Sequence, residues 1–245
     1  MFPLPWHTSS RRASACVSIC LESRNGVVAD SRAGLLALLL AAACIPALAA
    51  EVAFKLTDQN KLPVADAVIW LVPLDPAAKA PAPAAAKRID IAQIARQFEP
   101  YVTAVRTGTL VRFPNADSVQ HHVYSLSPAK KFDLPLHQPG KAETIAFDRP
   151  GVVAVGCNIH DWMSAYVVVV DSASFAVTVA DGAANIAGVP PGRYRAEIWH
   201  PRLAAIEKRE LAVAAAAAAP VAVELNLKAG FRTRRAPPAA GGGYK

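Results

Sequence analysis

From Tyr101 to Val170 the chain is a succession of short β-branched and aromatic segments: "YVTAV", "TLVRF", "HHVYSLS", "ETIAF", "GVVAVGC" and "AYVVVV". Gly, Pro and Asp punctuate the stretches between them. Strands at this spacing leave no room for crossover helices, so the pattern predicts an antiparallel sandwich or barrel. A second series, "FAVTV", "AANIAGV", "YRAEIWH", "KRELAV" and "VAVELNL", follows Asp171, with turns at Asp181-Gly182 and Pro190-Pro191-Gly192. Ahead of both, "EVAFKLTDQNKLPVADAVIWLVPL" reads as two strands around a turn at residues 58–61. No amphipathic helix pattern occurs anywhere, and the expected fold class is all-β. "IDIAQIARQFEP" fits either a short helix or a strand with a loop. "AVAAAAAAPVAV" reads as a loose hairpin end.

The ends of the chain separate from this body. "LLALLLAAACIPALAA" is a short apolar run after Arg32 that ends in small residues, which marks residues 1–50 as a secretory leader with cleavage after Ala47-Leu48-Ala49. The run is too short and too alanine-rich for a membrane span. A lipid anchor at Cys44 is disfavoured, because apolar leader continues beyond it. The expected location is the periplasm. "DPAAKAPAPAAAK" makes 76–87 an Ala/Pro linker, and 229–245 is a basic tail expected to be disordered. The formal charge of +7 sits mainly at the ends, on Arg11, Arg12, Arg24 and Arg32 and on Arg232, Arg234, Arg235 and Lys245. The body between is close to neutral, which excludes a nucleic-acid-binding face.

Three of the four cysteines, Cys16, Cys20 and Cys44, fall in the leader, so Cys157 is alone. An exported protein with one unpaired thiol calls for an explanation. An inert core thiol, a nucleophile and a metal thiolate are the three readings. The stretch is "GCNIHDWM", in which His160 and Met163 follow Cys157 at intervals of three, and Met163 is the only methionine besides the initiator. A tight loop between two strands can turn thiolate, imidazole and thioether toward one point. A fourth donor must come from elsewhere, and the pair His121-His122 opens a strand after the loop "FPNADSVQ". Two imidazoles, a thiolate and a weak thioether are the donor set of a blue-copper site. Structural zinc prefers several cysteines. A cysteine nucleophile would want its histidine base on a separate segment, with Asn158 or Asp161 to orient it.

On these residues the segment 88–171 resembles a cupredoxin of the plastocyanin and amicyanin type. The family's first copper histidine stands six residues after an Asn that closes an aromatic-ended strand. Here the strand is "VRFPN" and the histidine is His121. Its second block, Cys, two residues, His, a short gap and Met, matches Cys157, His160 and Met163. The resemblance implies one type 1 copper site, with His121, Cys157 and His160 as equatorial ligands and Met163 as axial ligand. It also implies a Greek-key β-sandwich. Two positions depart from the family: His122 replaces the Asn that ties the ligand loops together, and Asp161 replaces a Pro. His122 is expected on the opposite strand face from His121. His137 and His200 are expected to be ordinary surface or capping histidines.

"DGAANIAGVPPGRYRAEIWH" resembles a carboxypeptidase regulatory-like, transthyretin-type sandwich, whose opening strands fit "FKLTDQNKLPVADAVIWL". Residues 51–75 and 172–228 would then form one discontinuous sandwich that carries the cupredoxin in a surface loop. Proteins of this arrangement are often labelled methylamine-utilisation proteins. The resemblance implies a single-electron carrier rather than an enzyme, docking a redox partner transiently near His160 and Trp162. Storage or delivery of copper is the alternative. A copper oxidase or reductase would need further centres through His-x-His pairs, and the chain has none.

Overall fold

In the computed structural model, residues 50–75, 88–214 and 219–230 are described. Residues 1–49 of the expected leader, the linker at 76–87 and the tail beyond 230 lie outside the described residues, and Ala50 belongs to the fold as the first residue of a strand. The described chain forms seventeen strands and no helix. They are β1 (Ala50–Asp58), β2 (Val68–Pro73), β3 (Ile89–Asp90), β4 (Ala92–Ile94), β5 (Gln97–Glu99), β6 (Val102–Arg106), β7 (Thr109–Pro114), β8 (His121–Ser127) and β9 (Lys130–His137). They continue as β10 (Ala142–Phe147), β11 (Gly151–Gly156), β12 (Ser164–Val170), β13 (Phe175–Val177), β14 (Ala183–Val189), β15 (Gly192–Trp199), β16 (Glu207–Val213) and β17 (Val221–Leu225).

These strands pair in two groups that never share a sheet among the described residues. Strands from 89–170 form a five-stranded sheet in the order β6-β12-β11-β8-β9, a facing sheet β10-β7-β3, and the small hairpin β4-β5. Strands from 50–73 and 175–225 form the sheets β14-β1-β17 and β13-β2-β15-β16. Each group encloses its own core. Phe98, Phe113, Phe147, Val123, Val155 and Val167 are buried in the first, and Phe54, Leu56, Ile69, Leu71, Ile186 and Ile198 in the second.

Strand β12 explains why "AYVVVV" lacks alternation. Its Ala165, Val167 and Val169 face the first core, while Val168 and Val170 face a separate apolar layer with Val68, Val102 and Ala104. Trp70, Tyr166, Phe175 and Trp199 close over that layer. A strand covered on both faces has no polar side to show.

Several expectations change. β1 and β2 are both strands, but they join different sheets rather than pairing. The Ala-rich end is not a hairpin: β16 pairs with β15, while β17 runs parallel to β1. "IDIAQIARQFEP" is strand throughout, as β3, β4 and β5. β9, "KKFDLPLH", carries no strand signal because Pro135 interrupts it and Lys130 and Lys131 open it. Both features suit a sheet edge, where a missing donor and repelling charges prevent further pairing, and β9 is the edge strand.

Candidate metal centre

Two connections at one end of the first sandwich carry the chemistry. Strands β11 and β12 pair antiparallel up to Gly156 and Ser164, which leaves 157–163 as a closed loop. Its neck is held by the Cys157 N–H donating to the Met163 carbonyl (3.2 Å), and within it the Met163 N–H donates to the His160 carbonyl (2.9 Å). Cys157 and Met163 are therefore neighbours across the neck, and both are buried, with 4% and 2% of their surface exposed. Tyr124 packs closely on Gly156, where a Cβ would sit 3.1 Å from the ring and push it back by a few tenths of an ångström.

The other connection runs from β7 to β8. Asn115, 1% exposed, organises it. Its amide donates to the carbonyls of Val119 (2.8 Å) and His137 (3.0 Å), and its side-chain oxygen accepts the Asp117 N–H (3.0 Å). This delivers His121, fully buried, at the first position of β8. The alternation of β8 turns His121 and Val123 inward and His122 and Tyr124 outward. The outward pair stack at 5.7 Å between ring centroids, and His122 Nε2 lies 2.6 Å from Asp133.

His121, Cys157 and His160 converge, each offering one donor atom, all within 4.8 Å of one another. Cys157 Sγ is 3.7 Å from His160 Nδ1, and the two imidazole rings are 4.9 Å apart. Ligands on bonds of about 2.0–2.3 Å at a tetrahedral angle stand roughly 3.5 Å apart, so the sulfur and nitrogen are spaced for one ion.

The protonation pattern of His121 is readable from its contacts. Its Nε2 lies 2.8 Å from Asp117 Oδ2. A carboxylate can only accept, so Nε2 carries a hydrogen, and in the neutral ring it is Nδ1 that has the lone pair. That Nδ1 is buried and has no hydrogen-bond partner. Orphaned buried nitrogen is costly in an apolar core unless something takes its lone pair, and a soft or borderline metal ion fits the donor set around it. His160 is pushed toward the neutral, ligating form: burial lowers its pKa, and the charge of Arg96 adds to this against the opposing field of Asp117.

Asp117 is a site residue that the sequence patterns do not single out. Burial raises its carboxyl, but bonds from the Arg96, His121 and Ala95 N–H groups outweigh that and hold it below the ordinary carboxylate value. Ala95 and Arg96 form the two-residue turn between β4 and β5, with φ of 51° and 56°. Left-handed backbone at non-glycine residues costs about 1–2 kcal/mol each. Asp117 offsets this by accepting both amides, at 2.9 and 2.7 Å. The available signal is an acid four residues before the histidine, in an Asn-x-Asp loop of the kind that bonds its own backbone.

Of the two remaining histidines, His137 departs from expectation and His200 meets it as a capping residue. His137 is not a surface residue but 5% exposed. Its Nδ1 donates to the Pro135 carbonyl (3.1 Å), and its Nε2 accepts from buried Gln93 (3.0 Å). His200 caps a turn by accepting the Arg202 N–H on Nδ1 (3.2 Å), yet it too is buried. Neither joins the cluster. Asn158 and Asp161 are exposed, so neither sits as a buried orienter for His160.

No family model matches the chain, and no curated protein matches it. Among solved structures, it aligns with a copper-containing nitrite reductase from Thermus scotoductus SA-01 at 27% identity, covering 40% of this chain and 27% of that one, with a TM-score of 0.33. The chain thus spans about a quarter of that reductase. It also aligns with a purple cupredoxin from Nitrosopumilus maritimus at 27% identity, over 34% of this chain and 98% of that one (TM-score 0.30). A reduced Cu(I) form of an amicyanin mutant aligns at 19% identity, over 41% and 98% (TM-score 0.32). These neighbours are copper proteins, but alignments at such scores do not bear on the site, whose reading rests on the side chains themselves.

Proposed function

We propose that this chain is an exported, periplasmic type 1 copper protein that carries single electrons. His121, Cys157 and His160, with the thioether of Met163, would hold the ion. The observation that supports this most is the buried, unpartnered Nδ1 of His121, brought beside Cys157 and His160. A copper ion held there supplies reversible one-electron exchange between Cu(I) and Cu(II). The protein's part is to keep the donors in place in both states. Cys157 and Met163 are packed among Val155, Ala165 and Val167, and His121 is clamped from behind by Asp117. Rigid donors lower the reorganisation that accompanies transfer.

His160 is the ring nearest solvent, half-buried beside Trp162 at 5.3 Å and next to Ile159, which is 48% exposed. This edge is where we place transient docking of a redox partner, a contact of the small and weak kind. The group of strands from 50–73 and 175–225 serves as a transthyretin-like spacer or docking sandwich, interrupted by the copper domain. Residues 1–50 serve as the export signal.

Adding Cu(II) to the purified protein and recording its visible spectrum tests the reading. An intense thiolate-to-copper band, absent from Cys157→Ser, is expected. A band that survives Cys157→Ser would overturn the site. Reversible one-electron cycling separates a carrier from a copper-delivery protein, which would instead surrender Cu(I) to an acceptor.

A further inference from the structure

The resemblance to cupredoxins leaves a gap. The residue that ties the two ligand loops together in that family is replaced by His122, which points outward onto Tyr124 and Asp133. Something else must hold the loop bearing His121 against the loop bearing Cys157 and His160.

The structure contains a continuous bracket between them. Asp117 Oδ2 accepts from both His121 Nε2 (2.8 Å) and the Arg96 N–H (2.7 Å), and Oδ1 accepts the Ala95 N–H (2.9 Å). On the far side of that turn, the Arg96 carbonyl accepts the indole N–H of Trp162 (3.1 Å), within the 157–163 loop. Three separate segments are joined by these bonds: the β4-β5 turn, the 115–121 loop and the Cys157–Met163 loop. Resting on the copper reading above, we propose that Asp117 is the positioning residue of the centre. Its carboxylate orients the His121 ring by accepting the Nε2 hydrogen, and through the 95–96 turn and Trp162 it sets the distance between the two ligand loops.

The chemistry requires a carboxylate rather than an amide. Three N–H donors meet the two oxygens of Asp117. With an amide in its place, one oxygen could keep His121 and Arg96, but the NH₂ would then face the Ala95 N–H, donor against donor. Asp117→Asn thus keeps the shape and removes the negative charge and one bond. Asp117→Ala removes everything. Trp162→Phe keeps an aromatic ring and removes only the cross-loop N–H. Outer partners of this kind set ligand orientation and basicity.

Two measurements test the proposal on the full-length chain. In copper-free protein, ¹⁵N–¹H NMR should show His121 as the Nε2–H tautomer with a slowly exchanging proton, which Asp117→Ala loses. In copper-loaded protein, Asp117→Asn should keep the intense band but raise the reduction potential, since the more positive Cu(II) state loses a nearby anion. Asp117→Ala should weaken Cu(II) binding about 10–100-fold. Trp162→Phe should shift the potential less, and adding it to Asp117→Ala should change little, because both act through one bracket. If Asp117→Ala does not fold, Asp117→Asn and Trp162→Phe still decide the matter. A wild-type potential in Asp117→Asn, or an unprotected His121 proton in the wild type, overturns the proposal. A wild-type protein that shows the protected His121 proton but no thiolate band would sink the copper reading and leave the Asp117 bond standing.

Discussion

The two groups of strands differ most in how they treat buried polar atoms. Among the described residues, five buried side-chain atoms have no hydrogen-bond partner: Gln93 Oε1, Thr103 Oγ1, Arg106 Nε, His121 Nδ1 and His122 Nδ1. All five belong to the group built from 89–170. In the other group the corresponding side chains are satisfied. Asp58 accepts the Asn60 and Leu62 N–H groups, Thr178 accepts from Ala67, and Ser172 donates to the Leu71 carbonyl. A purely structural sandwich has no reason to leave a buried donor or acceptor unmet. Of the five unmet atoms in the first group, His121 Nδ1 belongs to the His121-Cys157-His160 cluster, where a metal would use its lone pair, and the other four belong to residues outside it.

If that contrast is right, removing donors from the first group should abolish its chemistry and leave the fold. His121→Ala is expected to eliminate the thiolate-to-copper band altogether, with the far-UV dichroism of the copper-free protein unchanged. His200→Ala, also a buried histidine but in the other group, should leave the band intact. Colour lost in both variants, or in neither, would break the comparison.

The next effect in size concerns stability. Phe54 is 1% exposed in the second core, so Phe54→Ala should cost about 3–5 kcal/mol in denaturant unfolding. The band should be unchanged wherever the variant remains folded. A spectrum that shifts with this distant cavity would show that the two groups are not separable.

A smaller cost is expected at the layer between them. Val168 is 2% exposed there. Val168→Ala removes two carbons and should lower stability by about 1.5 kcal/mol, read as a lower denaturation midpoint with the same spectrum. Val167→Ala, one residue away but facing the core that contains Cys157 and Met163, should by contrast disturb the spectrum as well. The smallest effects belong to Met163→Leu and His122→Asn. Each should retain colour and change only the potential, the first because an axial thioether bond is weak, the second because His122 faces away from the cluster. If His122→Ala bleaches the protein while His121→Ala does not, the register of β8 is off by one.

Much of this was legible in the residues. The all-β class followed from strand-length segments punctuated by turn residues. The strand period said that His121 and His122 face opposite ways, the resemblance's spacing after Asn115 chose His121, and Cys157, His160 and Met163 stood out by their spacing on one short loop. What stayed hidden depended on partners distant in sequence. No local signal says that β1 and β2 join different sheets, or that β17 lies parallel to β1. Such pairings are chosen by which apolar faces can be buried together. His137 looked like a surface histidine because its burial depends on Gln93, 44 residues earlier. Asp117 looked like a loop acid, and its role appears only when the 95–96 turn is folded against it, 21 residues away. The order of amino acids says which donor atoms exist and supplies the strand period that orients them. Packing in three dimensions selects which of those atoms are left without a partner, because satisfaction of a buried lone pair is a property of everything packed around it.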